Sequence, residues 1–171
     1  GFVVDCIQRM AESYPWINLN ISMNSSEEIS RKIIDAELDF GIILNPKSHN
    51  QLEILSFIEI PLGYVLSPHH TLAGMDKIYL SDTLNERHIM PSEPLVISDY
   101  VHTLYKHHKF NPIQKIECND IRMITSLIQQ QLGIGLMSYV DALPLLNSKK
   151  IVFKPIREKG MHRLTIALCV A

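Results

Sequence analysis

The chain alternates between two hydrophobic periods, about 3.6 residues in some stretches and two in others, and their order predicts a layered α/β protein. Phe2, Val3, Cys6, Ile7, Met10 and Tyr14 recur at helical spacing with Asp5, Gln8, Arg9 and Glu12 between them, and Pro15 closes the segment. Ile17, Leu19 and Ile21 then alternate with Asn18, Asn20 and Ser22, the pattern of a half-buried strand. Ser25 and Glu28 have the spacing of a capping box, Ile29, Ile33 and Ile34 share one helical face, and residues 38–44 form an apolar run suited to a strand covered on both faces. Taken together, 17–44 is expected to be a βαβ unit whose strands run parallel through a right-handed crossover. The polar turn Asn24-Ser25-Ser26 then falls between the carboxyl end of a strand and the amino end of a helix, where open α/β sheets hold small ligands.

Beyond a turn-rich connection at 45–50, residues 52–58 alternate and 60–66 stay extended, with Pro61 arguing against one uninterrupted strand. A turn or short helix is expected at 67–74, a short helix from Ser81, and a brief strand at Ile89-Met90. Ser98 or Asp99 is expected to cap a helix whose inner face carries Val101, Leu104, Tyr105 and His108. Residues 113–118 read as a strand, and Asn119-Asp120 caps a helix marked by Ile121, Ile124, Leu127 and Ile128. Gly133 to Met137 is a short strand whose glycines permit close packing. Residues 139–146 look like a helical turn broken at Pro144, 151–153 is extended, and 164–170 is a final buried strand. The second half repeats the β-α-β logic of the first.

Charge narrows the picture. The 171 residues carry a formal charge of −2 with both signs interspersed, so the segment lacks the broad basic field with which a domain grips nucleic acid. Cys6, Cys118 and Cys169 lie far apart without C-x-x-C pairing, which points to packing thiols in a reducing, cytoplasmic setting rather than a disulfide framework. No run approaches the roughly 20 apolar residues of a membrane span, and the opening residues lack a basic flank followed by a hydrophobic stretch, so neither a span nor a signal peptide is expected. His69-His70 and His107-His108 are adjacent pairs that diverge on a strand or helix, unlike the i, i+4 pairs of metal sites, so no metal is expected. There is no G-x-S-x-G elbow, P-loop or H-E-x-x-H, and hence no expected cofactor or catalytic residue.

Several landmarks resemble the effector-binding domain of LysR-type transcriptional regulators. Tyr14-Pro15 with the following alternation looks like that family's entry into a strand. Asn24-Ser25-Ser26-Glu27-Glu28-Ile29 looks like its strand-to-helix turn, and Glu37-Leu38-Asp39-Phe40-Gly41-Ile42 is similar to its "GELDlaI" strand. His70-Thr71-Leu72-Ala73 resembles its "HPLA" element and Leu132-Gly133-Ile134-Gly135-Leu136-Met137 its "GlGiallP" element. Ala36 and Gln131 stand where the family has glycine, Ser138 where it often has proline, and Thr71 replaces the proline after His70. The resemblance implies a type II periplasmic-binding-protein-like fold: two Rossmann-like α/β lobes joined by crossover strands, near 45–66 and 154–164, with a ligand cleft between them. Lobe I would comprise residues 1–60 with 155–171 and lobe II residues 61–154. The family's DNA-binding domain, first strand and closing helix are not recognisable in this sequence.

The expected ligand contacts are Asn24 and Ser25 at the first turn, Asn45 at the hinge, and Ser92 and Ser98 where the resemblance places contacts of the facing lobe. Each also has a plain structural explanation, as a capping or turn residue. Gly133 and Gly135 are expected to serve packing. The implied partners are a small polar or anionic effector and a second copy of the chain, as homodimer or homotetramer, with DNA reached only through a separate amino-terminal domain and no contact with a membrane. The competing readings are a solute-binding protein of a transporter, which would share the fold and cleft, and a small α/β enzyme.

Overall fold

The computed structural model describes residues 2–158 and 163–171, and its strands sort into two groups. The first is an antiparallel sheet with β8 (Leu164–Val170) in the middle, β1 (Gly41–Leu44) on one side and β2 (Glu53–Ile60) on the other. Gly41 lies opposite Cys169 and Leu44 opposite Ile166, while Ile60 lies opposite Leu164. Helix α2 (Ser26–Ile34) packs on this sheet, burying Ile33 against Ile43, Ala167 and Cys169, with Ile29, Leu38 and Leu52 around them. Burying such side chains contributes about 1.5–3 kcal/mol each, so this small core is what seats the helix.

The second group holds most of the core. The strands β3 (Leu62–Leu66), β6 (Gly135–Ser138) and β7 (Val152–Pro155) form an antiparallel sheet with β3 in the centre, and β4 (Arg87–Pro91) pairs parallel with β5 (Gln114–Cys118). Ile134 stitches the two pieces together: its carbonyl accepts the Ile89 amide at 2.7 Å, and its amide donates to the Arg87 carbonyl at 2.9 Å. Gly133 makes that approach possible, because a Cβ there would lie 2.5 Å from the Arg87 carbonyl oxygen. Helices α3 (Val96–His107), α4 (Ile121–Gln129) and α5 (Tyr139–Asn147) cover the sheet, burying Val101, Leu104, Tyr105, Ile124, Ile128 and Ala142. Ile60 and Leu62, on either side of Pro61, pair with β8 and β6 respectively, so the chain changes sheets at the proline that could not have served a continuous ladder. The middle of the expected second crossover, 159–162, lies outside the described residues.

The structure corrects several expectations. Residues 17–21 do not form a strand: Ile17, Leu19 and Ile21 remain exposed, and β1 pairs with β8 in antiparallel fashion instead of lying parallel to a preceding strand. Alternation alone cannot make a strand, since its amides and carbonyls need a neighbouring edge to bond. Helix α1 (Phe2–Ser13) forms as expected, yet Val3 and Val4 stay exposed. Ser98 and Asp99 are not caps. Helix α3 starts at Val96 after Leu95, because Ile97 is buried on the same face as Val101 and Tyr105 and draws a further turn into the helix. Pro144 does not break α5, which runs on to Asn147; its fixed φ is itself helical, so it forfeits one hydrogen bond without ending the helix. Of the three cysteines, Cys169 is buried and Cys6 is exposed.

Candidate functional site

The start of α2 is built by two serines. Ser25 is extended and its Oγ accepts the Glu28 amide at 3.2 Å, which is half of the expected capping box; the Glu28 carboxylate turns to Lys32 at 3.4 Å instead of reaching back. Ser26 Oγ donates to the Leu44 carbonyl at 3.3 Å and so fastens the helix start to the end of β1. The first amides of the helix, on Ser26 and Glu27, have no intrahelical acceptor and form a weakly positive rim. Asn24 sits beside it, donating from Nδ2 to Ser22 Oγ at 3.0 Å and accepting at Oδ1 from Lys32 Nζ at 3.5 Å.

Asn45, at the exit of β1, has a left-handed backbone with φ of 46°. Its Oδ1 accepts the Thr165 amide at 2.7 Å and lies 3.3 Å from the Thr165 hydroxyl, while its own amide donates to the Thr165 carbonyl at 2.8 Å. Asparagine tolerates this conformation and supplies the clamp that continues the β1–β8 ladder past the last strand residue. Two residues on, Lys47 pairs with Glu27 at 2.8 Å. That hydrogen bond and charge hold Glu27 below the usual carboxylate range and raise Lys47, and Asp99 on the first turn of α3 adds a smaller upward push on Lys47. Lys47 therefore sits in the field of acidic groups from two helix starts, one in each lobe.

On the second lobe, Ser98 is buried in the first turn of α3, 3.3 Å by its Oγ from His102 Nδ1, which itself donates to the Ser98 carbonyl at 2.8 Å. Ser92 is half-buried at the end of β4; its amide donates to the Cys118 carbonyl at 2.9 Å and its carbonyl accepts the Leu95 amide at 3.1 Å. The structure thus gathers Asn24 and Ser25 around one helix start and Asn45 on the sheet crossing beside it. Ser98 lies next to the acidic residue that Lys47 feels, whereas the Ser92 backbone joins β4 to the turn before α3. Sequence reasoning passed over Lys32, Lys47 and Thr165. Lys47 carried a usable signal, as the cation of an otherwise uncharged hinge connection at 45–52.

Lobe II also contains a buried polar chain. Tyr64 and Tyr105 hydroxyls are 2.8 Å apart, Tyr105 Oη is 2.9 Å from His88 Nδ1, and His88 Nε2 is 2.9 Å from the Thr83 carbonyl. A carbonyl only accepts, so Nε2 carries the proton; burial lowers the His88 pKa and keeps the ring neutral, so Nδ1 accepts from Tyr105, and Tyr105 accepts from Tyr64. Burial also pushes Tyr64 up to about 12 and Tyr105 well above the ordinary phenol value.

Two packed α/β lobes, a chain that changes sheets at Pro61, and polar helix starts on either side of the connection define a two-lobed binding-protein-like domain. The chain matches the LysR substrate binding domain over residues 1–171 and belongs to that family. Among curated relatives it is 22% identical over 132 residues to the HTH-type transcriptional regulator CysL of Bacillus subtilis, covering 77% of this chain and 44% of that protein. It is 28% identical over 138 residues to a probable RuBisCO transcriptional regulator of Thalassiosira pseudonana, covering 75% of this chain and 44% of that one. The chain thus spans less than half the length of these relatives. Its fold is similar to the BenM effector binding domain with its effector benzoate (TM-score 0.82, 16% identity, 99% of this chain and 77% of that one). It is also similar to the effector binding domain of QuiR in complex with shikimate (TM-score 0.77, 19% identity, 98% and 79%). A third likeness is to the Synechocystis PCC6803 CcmR regulatory domain in complex with 2-PG (TM-score 0.81, 21% identity, 97% and 80%). The fold is that of LysR effector-binding domains.

Proposed function

We propose that this chain senses a small polar or anionic metabolite held between its lobes and passes the resulting lobe movement to a DNA-binding domain of the same regulator. The observation that carries this reading is the convergence, around one hinge connection, of a helix start whose first amides lack intrahelical acceptors, the cations Lys32 and Lys47, and the first turn of the opposite lobe's α3. Benzoate, the effector of BenM, and shikimate, held in the QuiR complex, are both carboxylates, and helix amides without intrahelical acceptors beside lysines suit a carboxylate. Asn24 and Ser25 would present that anion-binding rim, Asn45 the hinge, and Ser92 and Ser98 the facing lobe. We take lobe I as 1–60 with 155–171 and lobe II as 61–154, and the working assembly as a dimer. The relatives are transcriptional regulators, a role that binding alone can fulfil, so the scheme needs no catalytic step. Ligand would bias an equilibrium between lobe arrangements, and that equilibrium would couple effector to DNA.

A thermal-shift screen of the full-length protein against carboxylates, sugar phosphates and amino acids tests this. The expected result is a stabilising carboxylate whose effect vanishes in Asn24→Ala/Ser25→Ala while the unliganded transition keeps its cooperativity. An undiminished shift in the double variant would place the ligand elsewhere.

A further inference from the structure

We infer that lobe II carries a second small-molecule site, apart from the interlobe region, that takes an amphipathic anion such as an aryl carboxylate. It is a cavity of about 380 Å³ between the carboxyl end of α3 and the start of β5. Its apolar wall is made by Met90, Tyr105, Phe110 and Pro112, and its polar lining adds Lys106, Lys109 and Lys115. His102 and Asn111 complete the lining, so no carboxylate faces the space.

The apolar wall is rigid for identifiable reasons. Met90 and Tyr105 belong to the buried core, and Phe110 meets the Tyr105 ring edge-on at 5.0 Å and the His88 ring at 5.3 Å. Tyr105 cannot swing away without leaving buried His88 Nδ1 unbonded and taking from the Tyr64 hydroxyl its 2.8 Å partner. The turn after α3 is fixed as well, since Lys109 is left-handed at φ 50° and the Phe110 amide donates to the Tyr105 carbonyl at 2.8 Å. The cations are available: Lys115 makes a half-exposed pair with Glu117 at 3.5 Å, and no described carboxylate lies within ion-pairing distance of Lys106 or Lys109. Met90, Tyr105 and Pro112 are buried behind half-buried Phe110, so an aromatic ring would lie chiefly against Phe110, and a carboxylate on it has three ammonium groups to choose from. The volume lies at the lower end of the range for small-molecule pockets, which fits a single ring bearing an acid group. An adjoining cavity of about 510 Å³ shares Lys109, Phe110 and Asn111 but includes Glu158, so the anion belongs on the Lys106 side.

Titration calorimetry on the full-length protein at low ionic strength tests the site with phenylacetate as the probe. Acetate removes the ring and phenylacetamide removes the charge, and each is expected to bind at least tenfold more weakly. Lys106→Gln/Lys109→Gln/Lys115→Gln, all exposed positions, should weaken phenylacetate at least tenfold while Asn24→Ala/Ser25→Ala leaves it unchanged. The proposal is overturned if phenylacetate does not saturate, if acetate binds as well, or if the Asn24/Ser25 variant loses binding and the lysine variant keeps it. Because the two variants address different lobes, failure here and failure of the interlobe site are separable.

Discussion

At the scale of single residues, His88 is the group whose chemistry most constrains the fold. Its ring is buried and neutral, whereas in an unfolded chain it titrates near 6.5. The unfolded state therefore binds more protons as pH falls through and below 6.5, and stability drops across that window down to the lowered folded pKa. Urea unfolding at pH 7.5 and pH 5.5 should show a lower midpoint at the acid value, and His88→Gln should flatten the difference relative to wild type. Tyr105 is the hub of the same chain, donating to His88 and accepting from Tyr64. Tyr105→Phe would strand His88 Nδ1 and leave the Tyr64 hydroxyl with only Thr83 Oγ1 at 3.4 Å, and should cost about 1–3 kcal/mol by equilibrium unfolding, against about 1 kcal/mol for Tyr64→Phe, which leaves the Tyr105–His88 bond in place. None of this was legible in the sequence. His88, Tyr64 and Tyr105 are far apart along it, and the histidines that drew notice there were the adjacent pairs.

At the scale of elements, helices α2 to α5 end alike. Ala36, Lys109, Gln131 and Lys149 each adopt φ between 50° and 60° just past a helix, and the next amide reaches back to a carbonyl of the last turn, as Leu132 does to Leu127 at 3.1 Å. This is the helix stop that glycine normally supplies, and here none of the four is glycine. Each left-handed side chain costs about 1 kcal/mol, partly offset by the chain entropy glycine would lose, so Ala36→Gly and Gln131→Gly should each raise stability by about 0.5–1 kcal/mol. The sites are distant, so the gains should add in denaturant midpoints. Conversely, Gly133→Ala should destabilise clearly, because its Cβ would press on the Arg87 carbonyl. Most elements were legible because their cause is local: Ser25 and Asp120 cap α2 and α4 as their spacing indicated, and Ser138, in a position where proline is usual for the family, caps α5 by accepting the Asp141 amide at 3.2 Å. What failed was nonlocal. Residues 17–21 carry strand periodicity without an edge to join, and the antiparallel partner of β1 lies at the other end of the sequence. Asn24, Ser25 and Asn45 could be picked out as polar residues at element ends, but their partners Lys32 and Thr165 come from helix and sheet geometry that periodicity does not encode.

At the scale of the molecule, Lys47 is placed to report on the separation of the lobes, since it pairs with Glu27 and senses Asp99. Lys47→Glu would put three acidic groups around the hinge connection. For a carboxylate found in the effector screen, that variant is expected to raise Kd several-fold, and the wild-type affinity should fall between 50 and 300 mM salt while the variant's changes less. A Kd unmoved by the charge reversal would show that the anion is held away from Lys47.

The position of β8 has a further consequence, for the order in which the protein acquires structure. The sheet of lobe I has β8 as its middle strand, whereas every strand of lobe II lies within 62–155. During synthesis the larger lobe can close on itself while lobe I still lacks the strand that joins β1 to β2, leaving the backbone amides and carbonyls along β1 and β2 without the ladder that β8 supplies. Nascent chains arrested before Leu164 should therefore protect lobe II from protease and leave 41–60 open to cleavage, so that lobe I closes only once β8 has emerged between β1 and β2.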